Sequence, residues 1–210
     1  MKIKNTLFWN VDTQEDFINP AGKLYSKGAE EIRPILKEVT DYAKTLGIRV
    51  VNTCDYHYIN SMEISDTPDY ITKFPPHCMA GTPGADYIPE TFPEFPTLID
   101  WEHELAILDE LNDPERFRNI VLRKDAFDVF TGNPYTEKIL QILHPDQVFV
   151  YGVYTNVCVD KAVMGLSKLG FKVYVLEDAI KELPNLPLPF ADWKAAGVER
   201  IYFSEIGKYL

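Results

Sequence analysis

No run of residues in this sequence approaches the ~18 consecutive apolar positions that a membrane-spanning helix needs, so no span is expected. Positive charge is scarce: 21 Lys and Arg stand against 32 Asp and Glu, a net charge of −11. That balance argues against nucleic acid or an anionic membrane as a partner, and no local basic cluster reverses it. Cysteine is scarce too. Cys54, Cys78 and Cys158 are odd in number and widely spaced, which excludes a disulfide framework and points to a reducing cytoplasm. The opening residues, Met1-Lys2-Ile3-Lys4-Asn5, lead straight into a strand-like run and are too short and polar-flanked for a signal peptide. Internal repeats and linkers are missing as well. With 46% hydrophobic and 25% charged residues, the 210-residue chain reads as one domain over residues 1–210. A chain of this length buries roughly 70% of its unfolded surface.

What is present is an alternation of strand-like and helix-like segments. Residues 6–11 form an apolar strand, and residues 29–46 repeat apolar side chains at helical spacing (Ile32, Ile35, Leu36, Val39, Tyr42, Ala43) before Gly47 closes the helix. A second strand follows at 48–53. Strand, helix and strand without hairpin signals imply a right-handed crossover and a parallel sheet. The alternation resumes with a strand at 119–123, a helix at 135–143, a strand at 147–151, a helix reaching about residue 169 and a strand at 171–176. A proline-rich loop at 182–189, a short helix at 190–196 and a strand at 198–203 complete it. The expected fold class is α/β: three layers, α/β/α, around a mostly parallel six-stranded sheet.

Residues from about 55 to 104 break the rhythm. They hold seven of the fifteen prolines and the histidines His57, His77 and His103, with Tyr, Phe, Ile and Trp spread among them. A long irregular segment with that composition is an ordered functional loop rather than disorder.

Ligands of open parallel sheets sit outside the carboxyl ends of the strands. Asp12, Asp55, His57, Lys124 and Cys158 stand at or just beyond those ends. Gly152 breaks the strand before Cys158, and Thr155 or Asn156 is the expected N-cap of the helix that follows. Cys158 then lies in a first helical turn, where free N–H groups and the helix dipole favour a thiolate. In this grouping Asp12 takes the thiol proton, Lys124 holds the thiolate and lowers its pKa, and Cys158 attacks a carbonyl. Taken singly, each residue has a plainer reading: Asp12 as a cap, Lys124 as a solvated strand end, Cys158 as a buried thiol.

Four ordered motifs carry a resemblance. Asp12-Thr13-Gln14-Glu15-Asp16-Phe17 is similar to the D-x-Q-x-D-F opening of the isochorismatase-like cysteine hydrolases. Arg123-Lys124 followed by Phe127-Asp128-Val129-Phe130 resembles their catalytic-lysine segment, and Gly152 to Val159 their nucleophile turn, G-x-x-x-x-x-C-V. Asp55-Tyr56-His57 with the stretch from Phe74 to Ala85 resembles the metal loop of the nicotinamidase (pyrazinamidase) branch, D-x-H followed by W-P-x-H-C-x-x-G-T-x-G-A.

The resemblance implies a catalytic triad of Asp12, Lys124 and Cys158, an oxyanion held by the backbone N–H groups of Tyr154 and Cys158, and a cis peptide between Val153 and Tyr154. It implies a small-molecule amide as substrate, nicotinamide first, cleaved to nicotinate and ammonia through a cysteine thioester, as in NAD salvage. Phe17 and Phe74 would sandwich a flat ring, with Tyr154 adding to the wall. Asp55, His57 and His77 form a ligand set suited to a divalent metal, Zn, Mn or Fe. Glu63 stands at the spacing of a fourth ligand, where relatives often carry His; Phe74 replaces their usual Trp. Two alternatives remain: an amidase for carbamoyl or ureido amides, and a catalytically silent metal-binding protein. Relatives form dimers or tetramers, so a homo-oligomer is a further expectation.

Overall fold

The computed structural model describes residues 5–103 and 108–210. The opening residues 1–4 and the end of the irregular segment at 104 lie outside that range. Among the described residues seven strands run in chain order: β1 (Thr6–Val11), β2 (Arg49–Asp55), β3 (Thr97–Ile99), β4 (Asn119–Lys124), β5 (Gln147–Val153), β6 (Lys172–Lys181) and β7 (Glu199–Ile201). They make one sheet in the order β3-β4-β2-β1-β5-β6-β7, and every neighbouring pair is parallel. The central strands are largely apolar because both faces are covered; Phe8, Trp9, Val51, Phe149 and Val150 are fully buried.

The sheet has seven strands where the sequence pattern suggests six. The extra strand, β3, has three residues directly after Pro96 and pairs with β4 at the sheet edge, Thr97 opposite Ile120. So short an edge strand carries no alternating pattern to read.

Among the described residues six α-helices accompany the sheet: α1 (Glu15–Ile18), α2 (Arg33–Thr45), α3 (Val129–Gly132), α4 (Thr136–Leu143), α5 (Cys158–Lys168) and α6 (Phe190–Ala195). Helix α2 buries Leu36, Val39 and Ala43, and α5 buries Val159, Ala162, Val163 and Leu166, the stripes their spacing suggests. The start of α5 differs from expectation. Its first residue is Cys158, preceded by Val157 with no side-chain cap. The Asn156 amide instead donates to the carbonyls of Leu183 (2.9 Å) and Leu186 (3.1 Å) and accepts from the Leu183 N–H, tying down the loop after β6. The Thr155 hydroxyl is buried and bonds to no described residue. Among the described residues no helix is long and apolar enough to cross a membrane.

From β1 the chain first builds outward through β2, and later crosses to β5 on the other side of β1. The crevice between β1 and β5 is therefore the place where a ligand meets the strand ends. The register brings those ends level: Val11 lies opposite both Thr53 and Gly152, and Asp55 opposite Lys124. Gly152 has φ +117°, and a Cβ there would stand 2.0 Å from the Val11 carbonyl oxygen. Only glycine lets β5 approach β1 this closely.

Candidate active site

Four strand ends deliver four side chains into one buried cluster. Asp12, just past β1, adopts a left-handed φ of +48°, which aspartate tolerates better than most residues. Its carboxylate accepts the Thr53 hydroxyl at 2.6 Å and lies 3.0 Å from Lys124 Nζ. Lys124, the last residue of β4, is 1% exposed; its Nζ also donates to Asp55 Oδ1 and to Cys158 Sγ, the latter at 3.8 Å. Polar atoms of Asp12, Asp55 and Cys158 lie within 4.8 Å of one another. The grouping expected from the strand ends is thus present in space, and none of its members is a solvated strand end.

The electrostatics of this cluster differ from the simple expectation. Burial opposes the charge on Lys124, but Asp12, Asp55 and Cys158 outweigh it and hold the ammonium well above the usual lysine value. Burial raises the Cys158 thiol; Lys124 pulls it down, yet Asp12 and Asp55 push it up again, so its pKa ends well above a free cysteine's. Lys124 does not by itself make a resting thiolate, because it is already neutralised by two carboxylates. Burial also raises Asp12, with Asp55 adding to it against Lys124. A carboxylate with raised proton affinity beside a thiol is a competent base.

Asp55 faces two ways. While Oδ1 accepts from Lys124, Oδ2 lies 3.7 Å from His57 Nε2 and 3.6 Å from His77 Nε2. Asp55, His57 and His77 form a buried group whose ligand-capable atoms lie within 4.8 Å of one another. His57 Nδ1 donates to the Asp125 carboxylate at 2.8 Å and His77 Nδ1 to the Pro75 carbonyl at 2.7 Å. Both acceptors hold the proton on Nδ1 and leave Nε2 to face Asp55. His57 Nε2 is buried without a hydrogen-bond partner among the described residues. Burial disfavours charge on His57, but Asp125 and Asp55 raise its pKa to about 9. Its surroundings favour positive charge, and the orphaned nitrogen, the carboxylate and the second imidazole fit a divalent cation.

Glu63 stands outside this trio. Both its oxygens accept the Phe127 N–H at 2.8 Å. It lines instead a slot beside Cys158, whose walls are Phe17, Phe74, His77, Phe127 and Tyr154. The Phe17 ring centroid lies 5.4 Å from His77 and 5.5 Å from Tyr154, and Phe74 lies 6.0 Å from His77. The Tyr154 hydroxyl is spent on the backbone of Phe17, Leu24 and Ser26, so the residue presents its ring. Phe127, Leu24, Val157 and Leu183 complete the slot. Sequence reasoning had marked Phe127 only as part of the lysine segment, and nothing in the pattern pointed to the other three.

The first motif now has a mechanical reading. Asp12 enters the cluster and Phe17 the slot, while Gln14 and Asp16 hold the loop. The Gln14 amide donates to the carbonyls of Asp55 and Ala85 and accepts the Asp55 N–H, each at 2.8 Å. Asp16 accepts the N–H groups of Cys78 (2.7 Å) and Lys23 (3.0 Å). The Val153–Tyr154 peptide is cis. Tyr154 N–H and Cys158 N–H donate to no described residue. Burial raises the Cys54 thiol to about 12 and Cys78 well above its ordinary value, in keeping with structural roles.

The isochorismatase domain matches residues 6–196 of the chain. The chain belongs to the isochorismatase family. Among relatives, a nicotinamidase/pyrazinamidase of Mycobacterium tuberculosis is 42% identical over 82 residues, which span 38% of this chain and 41% of that protein. A Saccharomyces cerevisiae nicotinamidase is 27% identical over 203 residues, 84% of this chain and 88% of the relative. Among solved structures of this fold, the pyrazinamidase of Pyrococcus horikoshii in complex with zinc superposes with TM-score 0.72 at 25% identity, covering 95% of this chain and 99% of that one.

Proposed function

We propose that this amide hydrolase converts nicotinamide to nicotinate and ammonia through a thioester on Cys158. The observation that carries the reading is the double role of Asp55. One carboxylate joins Lys124 and the thiol to the two histidines, and His77 and Cys158 both line a narrow slot walled by aromatic side chains. Nicotinamidase relatives at 27–42% identity support the choice of amide.

Asp12 takes the Cys158 proton as Sγ bonds to the amide carbon, since the thiol is protonated at rest. Lys124 remains charged throughout and offsets the negative charge that moves between Asp12 and the sulfur. The free N–H groups of Tyr154 and Cys158 receive the oxyanion; one such donor typically contributes about 3 kcal/mol to the transition state. Collapse breaks the C–N bond, and Asp12 passes its proton to the departing ammonia. Asp12 then takes a proton from the water that attacks the thioester and, as the C–S bond breaks, returns it to the departing sulfur, which restores the thiol. Asp55, His57 and His77 are the residues that would hold a divalent ion, which would supply a Lewis acid for the pyridine nitrogen.

Ammonia release from nicotinamide, set against a panel of carbamoyl and ureido amides, tests the reading. Metal-loaded protein should prefer nicotinamide; turnover of the panel but not of nicotinamide overturns the substrate. Rapid quenching followed by mass spectrometry should find a nicotinoyl adduct on Cys158 and not on Cys54 or Cys78.

A further inference from the structure

The residue after Lys124 has no part in the scheme above, yet its side chain reaches the metal-binding trio from outside it. Asp125 Oδ1 accepts His57 Nδ1 at 2.8 Å, and the Ser61 hydroxyl donates to the same oxygen. Ser61 Oγ in turn accepts the Tyr58 N–H at 2.8 Å, closing the turn that follows His57. The two imidazoles are therefore held unequally: His77 leans on a neutral carbonyl, His57 on an anion anchored at the end of β4. Lys124, the last residue of β4, and Asp125 just after it thus have separate duties, the first toward the thiol and the second toward the histidine.

We infer that Asp125 is a positioning residue that fixes His57 as an Nε2 ligand and strengthens its hold on a divalent cation, with Ser61 keeping the carboxylate in place. The inference rests on the metal-site reading proposed above. A carboxylate behind a ligating histidine sets its tautomer and ring orientation and makes it a stronger donor, and losing such a partner typically weakens metal affinity about 10–100-fold. The backbone of His57 is already fixed, its N–H on the Cys78 carbonyl (3.0 Å) and its carbonyl on the Ala80 N–H (2.8 Å). What Asp125 adds is control of the ring.

The test is a zinc titration of metal-free protein against a chromophoric chelator. Asp125→Ala should weaken zinc binding about 10–100-fold. Asp125→Asn, which keeps an acceptor but no charge, should fall between it and the wild type, and Ser61→Ala should lie nearer the wild type. The melting temperature of each metal-free variant separates loss of affinity from loss of fold; if Asp125→Ala does not fold, Asp125→Asn decides. Zinc affinity within about twofold of wild type in the folded Asp125 variants overturns the inference. Wild-type protein that takes up no zinc overturns the metal-site reading and this inference with it. Wild-type binding that is abolished by Asp55→Ala but unmoved by the Asp125 changes overturns this inference alone.

Discussion

Two regions meet at Cys158, and they are held in place by different means. Asp12, Lys124 and Asp55 stand at the ends of neighbouring parallel strands, so backbone ladders set their spacing: Val11 opposite Thr53, Asp55 opposite Lys124. His57, Glu63, Phe74 and His77 lie in a segment with no strand or α-helix between Asp55 and Thr97. Side chains hold that segment instead, notably Gln14 on Asp55 and Ala85, Asp16 on Cys78, and the Tyr87 hydroxyl on the Thr53 carbonyl. A ladder places a residue to within its register whatever the neighbouring side chains are. A loop pinned by a few buried polar groups depends on each of them. The sheet side should therefore fail in chemistry when a side chain is removed, and the loop side in ligand binding and geometry.

The largest expected effect is on the sheet side. Cys158→Ala, Asp12→Asn and Lys124→Met should each lower nicotinamide turnover by about 1,000-fold or more, measured as ammonia release. They should differ in stability. Lys124→Met strands two buried carboxylates without their counter-charge and should cost about 3–5 kcal/mol in urea unfolding, whereas Cys158→Ala should leave the fold in place. Full activity in Cys158→Ala would falsify the thioester.

On the loop side, stripping metal with a chelator, or replacing His77 by Ala, should lower kcat/KM for nicotinamide by more than about tenfold. Zinc, manganese or iron should restore the stripped wild type but not the variant. Beyond the stabilisation lost with the bound ion itself, the melting temperature should change little in either case, because the strand ladders do not run through His57 or His77. A chelated protein that unfolds would erase the distinction between the regions.

How far each region could be read from the sequence follows the same division. The strands and the buried stripes of α2 and α5 were legible because apolar periodicity records burial directly. The short β3 was not, since three residues carry no period. Strand ends pointed to Asp12, Lys124 and Cys158 from composition and topology alone, and motif resemblance then gave the loop residues. Resemblance also brought in Glu63 as a fourth ligand; in this structure its carboxylate accepts the Phe127 N–H, a partner that spacing along the chain does not reveal. Similarly, Asn156 suits a helix N-cap by residue type, but three backbone groups of the loop at 183–186 claim its amide. Asp125 carried no signal because its partner His57 lies 68 positions away in the chain.

Two glycines sharpen the comparison in terms of stability. An added Cβ at Gly152 meets the Val11 carbonyl oxygen at 2.0 Å, and at φ +117° the backbone itself resists a side chain. Gly152→Ala should destabilise the protein by about 3–5 kcal/mol or prevent folding. At Gly84 the Cβ meets the Asp16 carboxylate at 2.2 Å, a side chain rather than a strand. Gly84→Ala should cost about 1–3 kcal/mol. By displacing Asp16 from the Cys78 N–H it should harm zinc affinity more than its stability loss suggests. Equal losses of stability in the two variants would show that the loop is as rigidly held as the sheet.

The smallest effect concerns Glu63 and separates burial from hydrogen bonding. Burial and then Asp55 raise its carboxyl to about 7 from an ordinary 4.5, against the opposing Phe127 N–H. The folded chain thus binds this proton more tightly than the unfolded chain. Its contribution to stability is complete below pH 4.5, declines as the pH rises toward 7, and is level above that. Glu63→Gln removes the decline. In metal-free protein the variant should match the wild type near pH 4.5 and exceed it at pH 8 by about 1 kcal/mol, after allowance for solvent at the slot edge. Urea unfolding at the two pH values measures the difference. A variant less stable than the wild type at pH 8 would mean that the charged hydrogen bond to Phe127 outweighs desolvation, and that the loop holds Glu63 ionised by design of its backbone.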